Sequence, residues 1–249
     1  MRILLLNPNT TEDLTQLMVQ SARRTAAPGT TILPITAPRG FPYISSRAEA
    51  QIGGAIVLEM LAAHHRDGDA AIVAAFGDPG LRGARELFGI PVIGISEAAM
   101  LAACMLGRRF LIISFTSVMR PWYEECVEMH GLGSRCAGVR ALEGAFGSIT
   151  QVQEEKEELL LQLATSAIME TQADVLIPGG APLAGLADKI KAKLPVPVVD
   201  PTQAAVKMCE ALIALKPGKA TTGTYRRPAA KPSFGLEEGI AAHIAHRDG

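Results

Sequence analysis

One strand–turn–helix–strand–helix unit occurs twice in this chain, and that repetition constrains the fold more than any other feature. Asp69-Ala-Ala-Ile-Val-Ala-Ala75 matches Asp174-Val-Leu-Ile-Pro-Gly-Gly180. Gly80-Leu81 lies at the same offset from Asp69 as Gly185-Leu186 does from Asp174. Pro91-Val-Ile-Gly-Ile-Ser96 matches Pro197-Val-Val-Asp-Pro-Thr202 with one residue inserted. Ser96 and Thr202 are then equivalent helix N-caps, each followed by an Ala-rich helix that carries a Cys-Met or Met-Cys pair. Four features in register favour duplication over two generic βαβ units.

The other segments fit the same plan. Residues 2–6 form an apolar run that stops at Asn7-Pro8-Asn9-Thr10, which predicts a buried strand and a turn. A helix over residues 11–25 follows, capped by Thr10 or Thr11, with Glu12 and Asp13 favourable in its first turn. Residues 30–36 predict a strand and 48–64 a helix. Beyond them, 69–76, 91–95 and 109–114 predict strands, while 81–88 and 96–106 predict helices. Aromatic residues are only 4% of a chain that is 48% hydrophobic, so Ala, Val, Ile and Leu must build the core. That composition suits parallel strands buried on both faces. The expected fold class is α/β, with two pseudo-symmetric parallel-sheet lobes and the active site in the cleft between them. The first lobe would span residues 1–98 plus about 207–215, and the second 99–206. Residues 216–249 would be a loosely packed C-terminal extension, with Arg226-Arg227 solvated and a short helix over 235–246.

Several function classes are disfavoured. A formal net charge of −1 leaves no basic field for a polyanion, so no nucleic-acid partner is expected. The N-terminal apolar run is too short for a secretory signal, and no stretch is long enough to cross a bilayer. A cytoplasmic protein without a membrane partner is the expectation. Nucleotide-binding glycine motifs and the Gly-x-Ser-x-Gly elbow are absent. The four cysteines form no C-x-x-C pair, and the five histidines lack metal-ligand spacing. Cys104 and Cys209 read as structural, the histidines as ordinary surface residues, and no metal site is expected. Strand ends near 7–10, 75–80, 114–117 and 179–183 are where an α/β fold would hold a small ligand.

Those strand ends carry a resemblance. Asn7-Pro8-Asn9-Thr10, Phe76-Gly77-Asp78-Pro79-Gly80 and Arg135-Cys136-Ala137 resemble the aspartate/glutamate/hydantoin racemase superfamily, nearest to its hydantoin and allantoin racemase branch. The likeness runs from residue 1 to about 215. It implies two lobes, one active site, no cofactor, a homo-oligomer and proton transfer at an acidic carbon. In that family two cysteines face each other across the substrate, one removing a proton and the other returning one. A thiol suits both tasks because its pKa is tunable about neutrality. Here Ala75 and Gly180 stand at those two positions, and neither can move a proton. The resemblance also implies a ligand cradle of Asn7, Asn9, Ser114 and Thr116 with the backbone N–H groups of Phe76, Gly77 and Ala181. Asn9 and Thr10 are equally explained by helix capping.

Groups that could replace the two thiols lie nearby. Tyr43, Ser45, Ser46 and Arg47 lie in a loop, residues 41–47, placed to close over the cleft. Arg47 would pair with a substrate carboxylate, or else be a surface arginine at a helix start. Asp78 is a candidate base or a plain turn residue. Trp122 and Tyr123 could line the pocket, though packing against a neighbouring helix is the simpler reading, and Glu97 reads as a helix-dipole partner. Two classes of function follow. One is a cofactor-independent enzyme acting on a small cyclic ureide, amino acid or related carboxylate: an isomerase with the two-thiol mechanism replaced, or a lyase or hydrolase on the same scaffold. The other is a non-catalytic small-molecule binding protein.

Overall fold

Every residue of β1 (Arg2–Asn7) after Arg2 is buried, so this apolar strand is covered on both faces. It pairs in parallel with β2 (Thr31–Thr36) on one side and β3 (Ala70–Val73) on the other. β3 in turn pairs in parallel with β4 (Val92–Gly94). Helices α1 (Glu12–Thr25), α2 (Arg47–His64) and α3 (Leu81–Leu87) make the crossovers, giving the order β2-β1-β3-β4. The computed structural model describes residues 1–248.

The second sheet repeats the first. β5 (Phe110–Ser114) is central, flanked in parallel by β6 (Cys136–Ala141) and β7 (Val175–Pro178). A parallel bridge between Leu176 and Val198 occupies the place that β4 has in the first sheet. The crossovers here are α5 (Arg120–Met129), α6 (Val152–Thr171) and α7 (Leu186–Ile190). The duplication holds at the level of single hydrogen bonds. Asp69 accepts from the Arg2 N–H at 2.7 Å, and Asp174 from the Arg108 and Arg109 N–H groups at 2.8 and 2.9 Å. Ala71 N–H donates to the Pro91 carbonyl and Leu176 N–H to the Pro197 carbonyl, both at 2.9 Å. Gly80 and Gly185 both enter their helices in the left-handed conformation.

One detail of the repeat differs from expectation. Ser96 and Thr202 are equivalent, but each is the second residue of its helix rather than the cap. The caps are Gly94 for α4 (Ile95–Leu106) and Asp200 for α8 (Pro201–Leu215). Asp200 accepts from the Gln203 N–H at 3.0 Å and the Gly185 N–H at 2.5 Å, which ties the start of α8 to the turn before α7.

These two helices are exchanged between the lobes. α4 follows the first sheet yet packs on β5 and β7. α8 follows the second sheet yet packs on β3, β4 and α1, and the two helices pack on each other. The whole of α8, and not only residues 207–215, therefore lies on the first sheet. The tail is not uniformly loose either. Residues 217–236 are mostly exposed, but α9 (Glu238–Ile244) docks on α2 with Ile240 and His243 buried. The His243 ring stacks on Phe88 at 4.4 Å, so this histidine is not on the surface. Among the described residues, no helix is long and apolar enough to cross a membrane.

Asp200→Ala removes the side-chain acceptor of the Gly185 N–H before α7 and the Gln203 N–H in α8. The expected cost is about 1–3 kcal/mol, read as a lower urea midpoint at unchanged slope. An unchanged midpoint would refute this bracing role.

Candidate active site

The C-terminal ends of β1, β3, β5 and β7 converge on one pocket with an empty volume of about 360 Å³. Both lobes line it: Asn9, Tyr43, Ala75 and Phe76 from the first, and Phe115, Trp122, Tyr123, Gly180 and Ala181 from the second. Ala75 and Gly180, matched by the internal repeat, thus share one cavity, as parallel α/β folds place their ligands. None of the described residues lining the pocket carries a charge.

The walls are aromatic. Phe76 and Tyr123 have ring centroids 4.6 Å apart, and Trp122 lies 5.7 Å from Tyr123. Trp122 and Tyr123 therefore face the cleft and do not simply pack on a helix. Both stand on α5, in a segment whose helical spacing was not read from the sequence. Tyr123 is buried, and burial pushes its phenol above the ordinary range, with the Ser114 hydroxyl pulling it partly back. The group is a proton or hydrogen-bond donor at neutral pH. Gly180 adopts φ 120° and ψ 140°, a conformation that side-chain-bearing residues rarely take. A Cβ built there would lie 3.1 Å from Phe115 Cε1 and 3.2 Å from the Tyr123 hydroxyl.

Several expected site residues fall elsewhere. Asn7 is fully buried, donating to Asn9 Oδ1 at 3.0 Å and Thr15 Oγ1 at 2.9 Å. Asn9 lines the pocket and also accepts from the Thr11 N–H at 3.0 Å, so it braces the turn as well. Ser45 donates to Glu49, and Ser46 caps α2 with Glu49 in a reciprocal capping box. Arg47 Nε reaches the two carboxylate oxygens of Glu125 on α5 at 2.9 and 2.8 Å. That exposed pair bridges the lobes and leaves no guanidinium in the cleft. Gly77 N–H is taken by Ser96 Oγ at 2.5 Å. Ser114 and Thr116 are buried behind the pocket wall. Of the loop over residues 41–47, Tyr43 and Ile44 reach the cavity.

Asp78 is also outside the pocket. Its carboxylate is buried and accepts from the Ser96 and Glu97 N–H groups at 2.9 and 2.8 Å, at the N-terminus of α4. His130 Nε2 lies 3.1 Å from Asp78 and Nδ1 lies 3.5 Å from Glu97, so this histidine too is buried rather than superficial. Burial opposes its charge, but hydrogen bonds to Asp78, Cys126 and Glu97 prevail and hold the imidazolium up to about 11. For Glu97 burial is likewise outweighed, by His130 and Arg85, and its carboxyl drops to about 2. Asp78 is thus committed to structure, which removes it as a base in the cleft.

The sequence profile of the family described as Asp/Glu/Hydantoin racemase matches residues 3–209. The chain belongs to this racemase family. A hydantoin racemase from Paenarthrobacter aurescens is 31% identical over 93% of this chain and 99% of its own length. One from Rhizobium meliloti is 32% identical over 94% and 98%. The structure of an allantoin racemase from Klebsiella pneumoniae superposes with a TM-score of 0.90 at 33% identity, covering 96% of this chain and 98% of that one. Family members fold as two lobes, as this chain does.

Within this racemase scaffold the two facing positions differ in backbone. Ala75 has no left-handed φ, whereas Gly180 does. Ala75→Cys should leave the urea midpoint near its native value. Gly180→Cys should lose about 1–3 kcal/mol through backbone strain and crowding against Phe115 and Tyr123. Equal midpoints for the two variants would show that the second turn relaxes freely.

Proposed function

We propose that this chain is a cofactor-independent enzyme whose interlobe cleft takes a small uncharged cyclic ureide, with the two-thiol mechanism replaced. The uncharged, aromatic-walled lining carries the reading. An amino acid or dicarboxylate would bury unpaired charge there at a cost of several kcal/mol. A neutral ring with carbonyl and N–H edges meets aromatic faces, the Asn9 amide and the Tyr43 phenol. The hydantoin and allantoin racemases similar to this chain over nearly its whole length support the same ligand class.

Proton handling would be one-sided. On the Gly180 side, Tyr123 offers a phenol beside the position where the family thiol would be attached. Kept protonated by burial, it donates to a developing enolate oxygen or carbanion and does not abstract a proton. On the Ala75 side the described lining residues offer the Tyr43 phenol but no carboxylate, imidazole or thiol to act as a base. A second reading, a lyase, is favoured by that inventory, because loss of a group other than a proton forms the carbanion without a base. The cytoplasmic setting and the homo-oligomer belong to this proposal as well.

Proton NMR in D₂O tests it, with allantoin, 5-substituted hydantoins, an arylmalonate, aspartate and glutamate as probes. The expected result is line broadening and turnover for a ureide and neither for the two amino acids. Tyr123→Phe should slow turnover by about 100-fold or more at similar ureide affinity. Binding of aspartate or glutamate in preference to the ureides would overturn the assignment. Product without α-proton exchange would select the lyase reading. Ureide binding without any turnover would leave a binding protein and refute the enzyme.

A further inference from the structure

Behind the pocket wall, three donors of different chemistry meet. Cys126 lies in the last turn of α5 and His130 at its C-cap, four residues on, so both side chains lie on one helix face. Asp78 comes from the turn after β3, in the other lobe. Cys126 Sγ, the His130 ring nitrogen and the Asp78 carboxylate oxygen lie within 4.8 Å of one another. Cys126 is 3% exposed and the His130 side chain 6%.

We propose that Asp78, Cys126 and His130 form a binding site for a thiophilic divalent cation, with zinc as the fitting ion. One thiolate, one imidazole and one carboxylate suit zinc, and a tetrahedral ion keeps a fourth position for water. The surroundings already hold each ligand as a metal site requires. With Nε2 on the ion, Nδ1–H stays directed at Glu97, which fixes the tautomer. Glu97 is gripped in turn by the Arg85 guanidinium, with one contact at 2.8 Å. Asp78 is aimed by two backbone N–H groups of α4, and Gly94 leaves its carboxylate room: a Cβ there would sit 2.2 Å from Asp78 Cγ.

Charge also balances. Without the ion, Asp78 and Glu97 are offset by His130 and Arg85. With it, the thiol proton and the Nε2 proton leave, and two positive charges enter as two are given up. The thiol is the feature that an ion-pair network does not explain, since Asp78, His130, Glu97 and Arg85 complete one without it. An ion here would join α5 of the second lobe to the turn after β3 of the first. Tyr123 and Trp122 stand on that same α5.

The test uses the full chain, stripped with a chelator and titrated with Co(II) and then Zn(II). One ion per chain is expected, with a thiolate-to-cobalt charge-transfer absorption that Zn(II) abolishes. X-ray absorption on the native zinc-loaded chain should show one sulfur at about 2.3 Å and nitrogen or oxygen at about 2.0–2.2 Å. This needs no variant. Cys126→Ser should lose the charge-transfer band, and Glu97→Gln should keep it while weakening affinity by about 10–100-fold. A shell of nitrogen and oxygen alone would overturn the site, as would a band that survives in Cys126→Ser or unchanged affinity in Glu97→Gln. No bound ion at micromolar metal would do the same.

Discussion

The packing of α4 against α8 is the contact on which the cleft depends. Each helix leaves its own sheet and covers strands of the other lobe, so neither lobe can close its core alone. Parallel strands need apolar cover on both faces, and here part of that cover is supplied reciprocally. The consequence is geometric. With the lobes locked in this way, the C-terminal ends of β1 and β3 face those of β5 and β7, and residues 180 and 75 come to share a pocket although 105 positions separate them. Buried acceptors reinforce the exchange. Asp78 reaches from a turn to the N-terminus of α4, and Asp200 reaches from the N-terminus of α8 to a turn. The two lobes use the same kind of brace with its ends interchanged.

Much of this fold was legible because the duplication preserved backbone-determining residues. Asp69 and Asp174, Pro91 and Pro197, and Gly80 and Gly185 hold equivalent hydrogen bonds or dihedral angles, so matching the letters matched the structure. The helix caps lie two residues before Ser96 and Thr202, at Gly94 and Asp200. Cap propensity favours Ser96 over Gly94 but Asp200 over Thr202, and the structure places both caps where the chain leaves its strand end.

The site was read less fully, for a different reason. Local sequence marks the strand ends at 75–80 and 179–183, and the family resemblance singles out Ala75, Phe76, Gly180 and Ala181 within them, all of which line the pocket. It does not show which side chain a distant element sends to meet them. Asp78 looked like a free turn carboxylate, yet α4 and His130 absorb it. Arg47 looked free until Glu125 reached it. The wall residues Trp122 and Tyr123 were legible as pocket candidates, but not their helix, whose signal is the spacing of Tyr123, Cys126 and His130 at i, i+3 and i+7 on one face.

Duplication and chemistry then part company. The scaffold is symmetric to the level of single hydrogen bonds, but the pocket is not. A racemase that treats both hands of a substrate alike needs equivalent proton-bearing groups on the two faces. In this chain one face carries an alanine in an ordinary backbone. The other carries a glycine in a conformation that side-chain-bearing residues rarely take, with a buried phenol beside it. Gly180 is therefore more than a truncated side chain: its backbone leaves space that Phe115 and Tyr123 border. A proton delivered from one direction sets one configuration at the carbon that receives it. Pseudo-symmetry in the fold thus coexists with a cleft whose two faces are chemically distinct.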